Sequence, residues 1–217
     1  MRKIQLYSVS VCFAALLVLS GCSNPADNVP EAEVSTIQAA EQESASSTEP
    51  AIGHVYVFSP ESSISFVGSK VTGSHDGGFK TFQGTFVMAD ENPETATGKI
   101  EIDTTSIWSD NERLTNHLKS ADFFEVEKYP TSIFTVKEVK KADTGYQVSG
   151  ELNLHGVTKQ ISFPADITVQ DGIVTLKSEF FIKRFDFEIK YTGKADDLIR
   201  DEVIIKLDMK ATPQTAA

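Results

Sequence analysis

Cysteine is almost missing from this chain: Cys12 and Cys22 are the two in 217 residues. Beyond Cys22 there is no thiol, which excludes a disulfide, a thiolate nucleophile and a zinc–thiolate centre from the rest of the chain. Basic residues are scarce too. Twenty Lys and Arg face 31 Asp and Glu, for a formal net charge of −11. Such an acidic surface repels phosphate backbones, so nucleic-acid binding is not expected. There is no G-x-S-x-G elbow, Gly-rich phosphate loop, H-E-x-x-H pair or Ca²⁺ loop. The four histidines, His54, His75, His117 and His155, stand at no metal-ligand spacing. The acidic pairs Asp196-Asp197 and Asp201-Glu202 flank a loop and read as solvated groups. No catalytic residue and no metal site is expected, and the chain does not read as an enzyme.

A membrane-spanning run is also lacking. Arg2 and Lys3 precede a nearly uncharged stretch from Ile4 to Leu19. Its clearly apolar part, Val9 to Leu19, falls short of the roughly 20 residues that cross a bilayer core. A basic start, a short apolar core and small residues at the cut site make a secretory signal peptide. The closing Leu19-Ser20-Gly21-Cys22 resembles the lipobox of bacterial lipoproteins, in which the cysteine is diacylated and becomes residue one. Residues 1–21 are therefore expected to be a signal peptide and Cys22 the site of lipidation. Two or more acyl chains anchor stably where a single chain is marginal. Removing residues 1–21 takes away Arg2 and Lys3 and no acid, leaving a still more acidic chain. Ser23 stands where an Asp commonly retains lipoproteins at an inner membrane. In a host with two membranes, the expectation is an outer-membrane anchor facing the periplasm.

From Ser23 to about Ile52 there is no aromatic residue, and Ala, Ser, Glu, Pro, Gln, Thr and Asn dominate. Such a stretch cannot bury enough apolar surface to offset the entropy of ordering. Residues 22–53 are read as the acylated cysteine plus a disordered tether, and residues 213–217 as a short tail.

Between them, residues 54–212 alternate with period two. Ile161, Phe163, Ala165, Ile167 and Val169 face one way, and Ser162, Pro164, Asp166 and Thr168 the other. Val203, Ile205, Leu207 and Met209 oppose Ile204, Lys206, Asp208 and Lys210. Gly98, Ile100 and Ile102, then Leu152 and Leu154, repeat the pattern. Phe82, Gly84, Phe86 and Met88 share one face, as do Val174, Leu176, Phe180 and Ile182. Turns are expected at Asp76-Gly77-Gly78, Glu91-Asn92-Pro93, Asp143-Thr144-Gly145 and Asp171-Gly172. Asp110 to Phe124 breaks the pattern: Leu114, Leu118 and Ala121 recur at helical spacing, Ser109 or Asp110 can cap the start, and Pro130 lies beyond the end. About eight strands, each with one apolar face, must bury those faces in a sandwich or a closed barrel. An eight-stranded barrel is either filled by its own side chains or holds one small ligand. Of the fourteen Phe, the thirteen beyond the signal peptide serve either outcome.

Three stretches carry a resemblance. They are Gly77-Gly78-Phe79-Lys80-Thr81-Phe82-Gln83-Gly84; His117-Leu118-Lys119-Ser120-Ala121-Asp122-Phe123-Phe124-Glu125-Val126, continuing through Lys128-Tyr129-Pro130 to Phe134; and Gly150-Glu151-Leu152-Asn153-Leu154-His155-Gly156-Val157-Thr158-Lys159. In order and spacing, the region from about Val55 to Ala211 resembles the YceI-like family of lipid- or polyisoprenoid-binding, lipocalin-like barrels. The resemblance implies an all-β, antiparallel barrel of about eight strands with one short helical insertion, holding an isoprenoid or similar lipid and no other cofactor. The cavity would then be lined by Phe66, Phe82, Phe86, Ile100, Ile102, Phe134, Leu152, Leu154, Phe163, Phe180 and Ile205. Arg113, His117, Lys119 and Arg184 are the cationic candidates for a polar head group. One departure stands out. Where the family often has Arg-x-x-Phe-Gly, Arg184-Phe185-Asp186-Phe187 is followed by Glu188. An acid there is expected to lose positive φ and alter the turn. The partners implied are a hydrophobic ligand and the membrane. The alternative is an envelope interaction module with a filled core.

Overall fold

The computed structural model describes residues 24–37 and 53–214. The alternating segments become strands because one apolar face can be buried only if neighbours pair and the sheet closes. The first wall strand is β2 (His54–Phe58) and β3 (Ser63–Lys70), interrupted at residues 59–62. The second is β4 (Gly73–Phe79) and β5 (Phe82–Met88), and the third is β6 (Thr97–Asp103) and β7 (Ile107–Ser109). Then come β8 (Thr131–Lys141), β9 (Tyr146–Leu154), β10 (Val157–Gln170), β11 (Ile173–Lys183), the two-residue β12 (Gly193–Lys194) and β13 (Asp197–Pro213); β12 pairs with β13 outside the wall. Each wall strand pairs antiparallel with the next, and β13 pairs back onto β2 and β3. The result is a closed, eight-stranded, up-and-down antiparallel barrel.

The register follows the alternation. Ile161, Phe163 and Ala165 of β10 are buried and stand opposite Gly150, Val148 and Tyr146 of β9. Asp171-Gly172 and His155-Gly156 make two-residue hairpin turns with φ of 52° and 73°, and 52° and 76°. Positive φ at both central residues matches the twist of the flanking strands.

The helical segment forms as expected but shorter. α1 (Glu112–Leu118) is capped by Asn111, whose side chain accepts from the Leu114 amide at 3.0 Å. The cap is therefore Asn111, not Ser109 or Asp110. Ser109 instead bonds Thr115, and Asp110 bonds His75 across to β4.

Asp76-Gly77-Gly78 is not a turn. All three residues lie inside β4, opposite Val67, Phe66 and Ser65. A Cβ on Gly77 would come within 2.4 Å of the Phe66 ring and 2.7 Å of the Trp108 carbonyl oxygen. The glycine is needed for close approach rather than for chain reversal.

The larger correction concerns the N-terminal stretch. Residues 24–37, expected within a disordered tether, pack on the barrel. β10 and β11 pair near their turn, from Asp166↔Lys177 to Gln170↔Ile173, and part company above it. The N-terminal segment fills the gap. β1 (Glu33–Ser35) pairs with Ser162–Gln160 of β10. The Phe181 amide donates to the Pro30 carbonyl at 2.9 Å, and the Ala32 amide donates to the Phe181 carbonyl at 2.9 Å. Ala32 is buried in the core. A 3₁₀ turn at Pro25–Asn28, closed by a capping box from Asn24 and Asp27, packs against β13. Ile204, on the outward face of that stretch of β13, is buried. An unpaired edge on each of two strands supplies the order that composition alone does not. The end of the domain also moves slightly: Pro213 still pairs with Tyr56, and the Gln214 amide donates to Val55. Cys22, the signal segment and residues 38–52 lie outside the described residues.

Candidate functional site

The inward faces of the wall do not fill the barrel. They enclose a cavity of about 370 Å³, within the roughly 300–1,000 Å³ typical of small-molecule pockets. A second, smaller space of about 110 Å³ lies deeper. Ile64, Ile100, Phe134, Phe163 and Leu207 border both and form the partition between them. Within that partition Phe134 and Phe163 have ring centroids 5.7 Å apart, and Phe163 stacks on Phe180 at 4.3 Å.

Nine of the eleven expected lining residues reach the larger cavity: Phe66, Ile100, Ile102, Phe134, Leu152, Leu154, Phe163, Phe180 and Ile205. Phe86 lines the smaller space and stacks on Tyr56 at 5.0 Å. Phe82 lines neither; it opens β5 just after the break in the wall at Lys80-Thr81.

One side of the larger cavity is covered by α1 and the loop after it, through Leu114, Leu118, Phe123 and Phe124. Phe124 meets Phe79 of β4 edge-on at 5.7 Å, and Phe123 packs against His117 and Tyr191. The loop is braced from below as well. The Thr104 hydroxyl donates to the Tyr129 carbonyl, and the Tyr129 ring occupies the space left by the missing Cβ of Gly156. The residues of the second and third motifs thus seat the cover on the wall.

The cationic groups sort differently from expectation. Arg113 is exposed on α1, and Lys119 borders a shallow outer depression beside Trp108. His117 is engaged by Asp122 at 2.7 Å. None of these three lines the cavity, because α1 presents Leu114 and Leu118 to it instead. Arg184 does line it. Its Nε and two Nη donate to the carbonyls of Arg200, Ile189 and Ile199 at 2.9, 2.6 and 3.2 Å. Burial draws its pKa down, opposed by the nearby Asp201 carboxylate. Arg184 therefore ties the end of β11 to the start of β13 while keeping a cation in the cavity wall.

Lys70, His75 and Arg200 complete the polar end of the cavity and were not anticipated. Arg200 lies on the outward parity of β13 with Ile204, but the register slips between Ile199 and Val203. A bulge re-aims side chains, and Arg200 borders the cavity with a buried Nε that has no hydrogen-bond partner among the described residues. Lys70 pairs with Asp197, which the Lys70 and Thr72 hydrogen bonds hold below the usual carboxylate range. Asp197 is thus an engaged group rather than a merely solvated one.

Glu188 also differs from expectation. It ends a 3₁₀ turn at Arg184–Phe187 and keeps φ at 60°, so the left-handed turn persists without glycine. The Glu188 amide donates to Phe185, and Arg184 accepts from Ile189, which fixes the turn from both sides.

Comparison with known proteins gives a consistent picture. The profile of the YceI-like domain matches residues 56–211. Protein YceI of Escherichia coli is 36% identical over 120 residues, which is 52% of this chain and 63% of that protein. The chain thus spans somewhat less than two thirds of the length of that relative. The crystal structure of Burkholderia cenocepacia BcnA superposes with a TM-score of 0.62 at 23% identity, covering 70% of this chain and 97% of that one. A polyisoprenoid binding domain from Saccharophagus degradans, implicated in plant cell wall breakdown, superposes with a TM-score of 0.59 at 18% identity, covering 73% of this chain and 98% of that one. At these identities the two structures establish the shared fold.

Proposed function

This chain belongs to the YceI-like domain family, and from that premise we propose that it is an exported, lipid-anchored protein whose barrel takes up a long hydrophobic chain. The ligand is a polyisoprenoid or similar amphiphile, held for transport, storage or sequestration. The observation that carries this reading is the cavity of about 370 Å³, apolar along its length with Arg184 and Arg200 at one end. An apolar chain placed there exchanges water for Leu, Ile and Phe side chains, at about 0.8 kcal/mol gross per buried CH₂. The cost of ordering a flexible chain offsets part of that gain. A polar head would meet Arg184 and Arg200, where the buried Nε of Arg200 has no acceptor among the described residues, while Lys70 and His75 at the same end are already engaged by Asp197 and Asp110. The similarity to a polyisoprenoid binding domain agrees with this ligand class. Cys22 is the proposed point of acylation, and the periplasmic face of an outer membrane the proposed location.

Two measurements test the two halves. Protein purified from its host and extracted with organic solvent should release a long-chain amphiphile detectable by mass spectrometry. A clean extract, together with no uptake of a fluorescent isoprenoid, would refute the ligand. Labelled fatty acid should enter the wild type and not Cys22→Ser; equal label in both would refute the anchor.

A further inference from the structure

Among the described residues four large apolar side chains are strongly exposed: Val55, Val71, Phe185 and Leu198. Three of them gather at one end of the barrel. Val71 follows Lys70, Phe185 follows Arg184 and Leu198 precedes Ile199, and Lys70, Arg184 and Ile199 all line the larger cavity. The Val71 amide donates to the Leu198 carbonyl at 3.1 Å, and the Phe185 amide donates to Asp201 at 2.9 Å, three residues beyond Leu198. Val71, Leu198 and Phe185 are 47%, 48% and 36% exposed, so they form an apolar rim at this end of the barrel rather than an edge of the core.

Three ion pairs border this rim, and Asp186, Asp196 and Glu202 stand beside it with no ion pair among the described residues. Lys70 meets Asp197, Lys183 meets Glu31 at 2.6 Å, and Lys190 meets Glu188 at 2.5 Å. In so acidic a chain, the surface this end suits is a zwitterionic one rather than an anionic one.

The N-terminal segment points to what covers the rim. Glu31 is bonded to the strand end that leads into Phe185, and the preceding 3₁₀ turn packs against β13. Asn24 is part of that docked segment, and Cys22 is two residues before it. Two residues reach at most about 7 Å. An acyl chain on Cys22 would therefore leave the barrel close to its wall, not at the end of a long tether.

Resting on the anchored reading of Cys22, we propose that the Val71–Phe185–Leu198 rim is a membrane-contact surface, seated on the lipid bilayer that carries the anchor. The cavity mouth then opens onto the bilayer, and a hydrophobic chain passes between the two without crossing water. The docked segment 24–35 acts as a strap that holds the barrel in this pose.

The test uses the full chain as cells produce it, mixed with phosphatidylcholine vesicles carrying brominated acyl chains. In a Trp108→Phe background, Val71→Trp, Phe185→Trp and Leu198→Trp are compared with Asp143→Trp, in the β8–β9 turn. The three rim tryptophans should be quenched about twofold, as for side chains sitting roughly 5–10 Å into the interface, and Asp143→Trp should not. Equal quenching at all four positions, or none at the rim, overturns the proposal. Mass spectrometry of Cys22 on the same sample separates the two ideas. An acylated chain with an unquenched rim fails the surface and keeps the anchor. An unacylated chain fails the anchor, and its rim is read with the same vesicles; an unquenched rim there overturns the surface too. If the Trp108→Phe background does not fold, hydrogen exchange on the unaltered protein replaces it. Amides 71–73 and 196–199 should slow on membrane binding, and unchanged exchange overturns the proposal.

Discussion

Truncating Phe134 should turn two spaces into one. The Phe134 ring borders both the cavity of about 370 Å³ and the deeper one of about 110 Å³. It is 8% exposed and leans on Phe163 with centroids 5.7 Å apart. In a close-packed core, Phe→Ala costs about 3–5 kcal/mol. Here part of the ring surface already faces empty space and has fewer contacts to lose. The expected loss for Phe134→Ala is therefore at or below the low end of that range, about 2–3 kcal/mol. Binding should change in the opposite sense for long ligands. The opened partition gives a chain room to extend toward Phe86 and Met209, which line the deeper space. Two further buried CH₂ groups contribute about 1.6 kcal/mol gross, a little more than the 1.4 kcal/mol that corresponds to tenfold in affinity. The assay pairs urea unfolding of the ligand-free variant with binding of fluorescent isoprenoids of increasing length. The preference for longer over shorter chains should rise by about tenfold. A loss of 4–5 kcal/mol with an unchanged length preference would mean a close-packed partition, and the two-chamber reasoning would fail.

Other expectations follow from the same geometry. Ile102→Trp should block ligand uptake with little loss of stability, because Ile102 faces the larger cavity. Phe86→Trp should instead destabilise by about 1–3 kcal/mol, since that ring stacks on the fully buried Tyr56; parallel unfolding and binding curves separate the two. A chain starting at Gly53 should unfold at least several degrees earlier than one retaining residues 24–37, at roughly 2–4 °C per kcal/mol for a domain of this size; equal midpoints in calorimetry would mean that the docked segment contributes nothing. Glu188→Gly should stabilise by about 0.5–1 kcal/mol, because left-handed backbone strains a residue with a Cβ and the lost Lys190 pair is exposed; chemical denaturation reads the sign. Asp110 and Asp197 have pKa values lowered by hydrogen bonds from His75 and Lys70; Asp110 fastens the start of β4 and Asp197 the β3–β4 turn. Their contribution is fully present above the unfolded value near 3.8 and is lost as pH falls through the lower folded value. Amides 71–76 should therefore lose exchange protection in that window before the β9–β10 wall does.

The alternation in β10 and β13 was sufficient to say which side chains point inward. Side-chain direction in a strand is a local property with period two, and it survives whatever the strand pairs with. The same holds for the Asp171-Gly172 turn and for the amphipathic spacing of Leu114 and Leu118. The lining followed from parity, as Ile100, Ile102, Leu152 and Leu154 illustrate. What parity could not give was whether those side chains meet. That depends on barrel radius, which is a property of the closed sheet. Nor could local reading place the polar end of the cavity. A slip between Ile199 and Val203 turns Arg200 onto it, and the fold around α1 keeps Arg113, His117 and Lys119 away. Gly77 and Gly78 read as a turn because glycine marks both reversal and close approach, and only the position of the Phe66 ring distinguishes them. Residues 24–37 show the limit most clearly. Their own composition carries too little apolar surface to order them. Their order comes from the unpaired edges that β10 and β11 expose where they part, and those edges exist only once the barrel has formed.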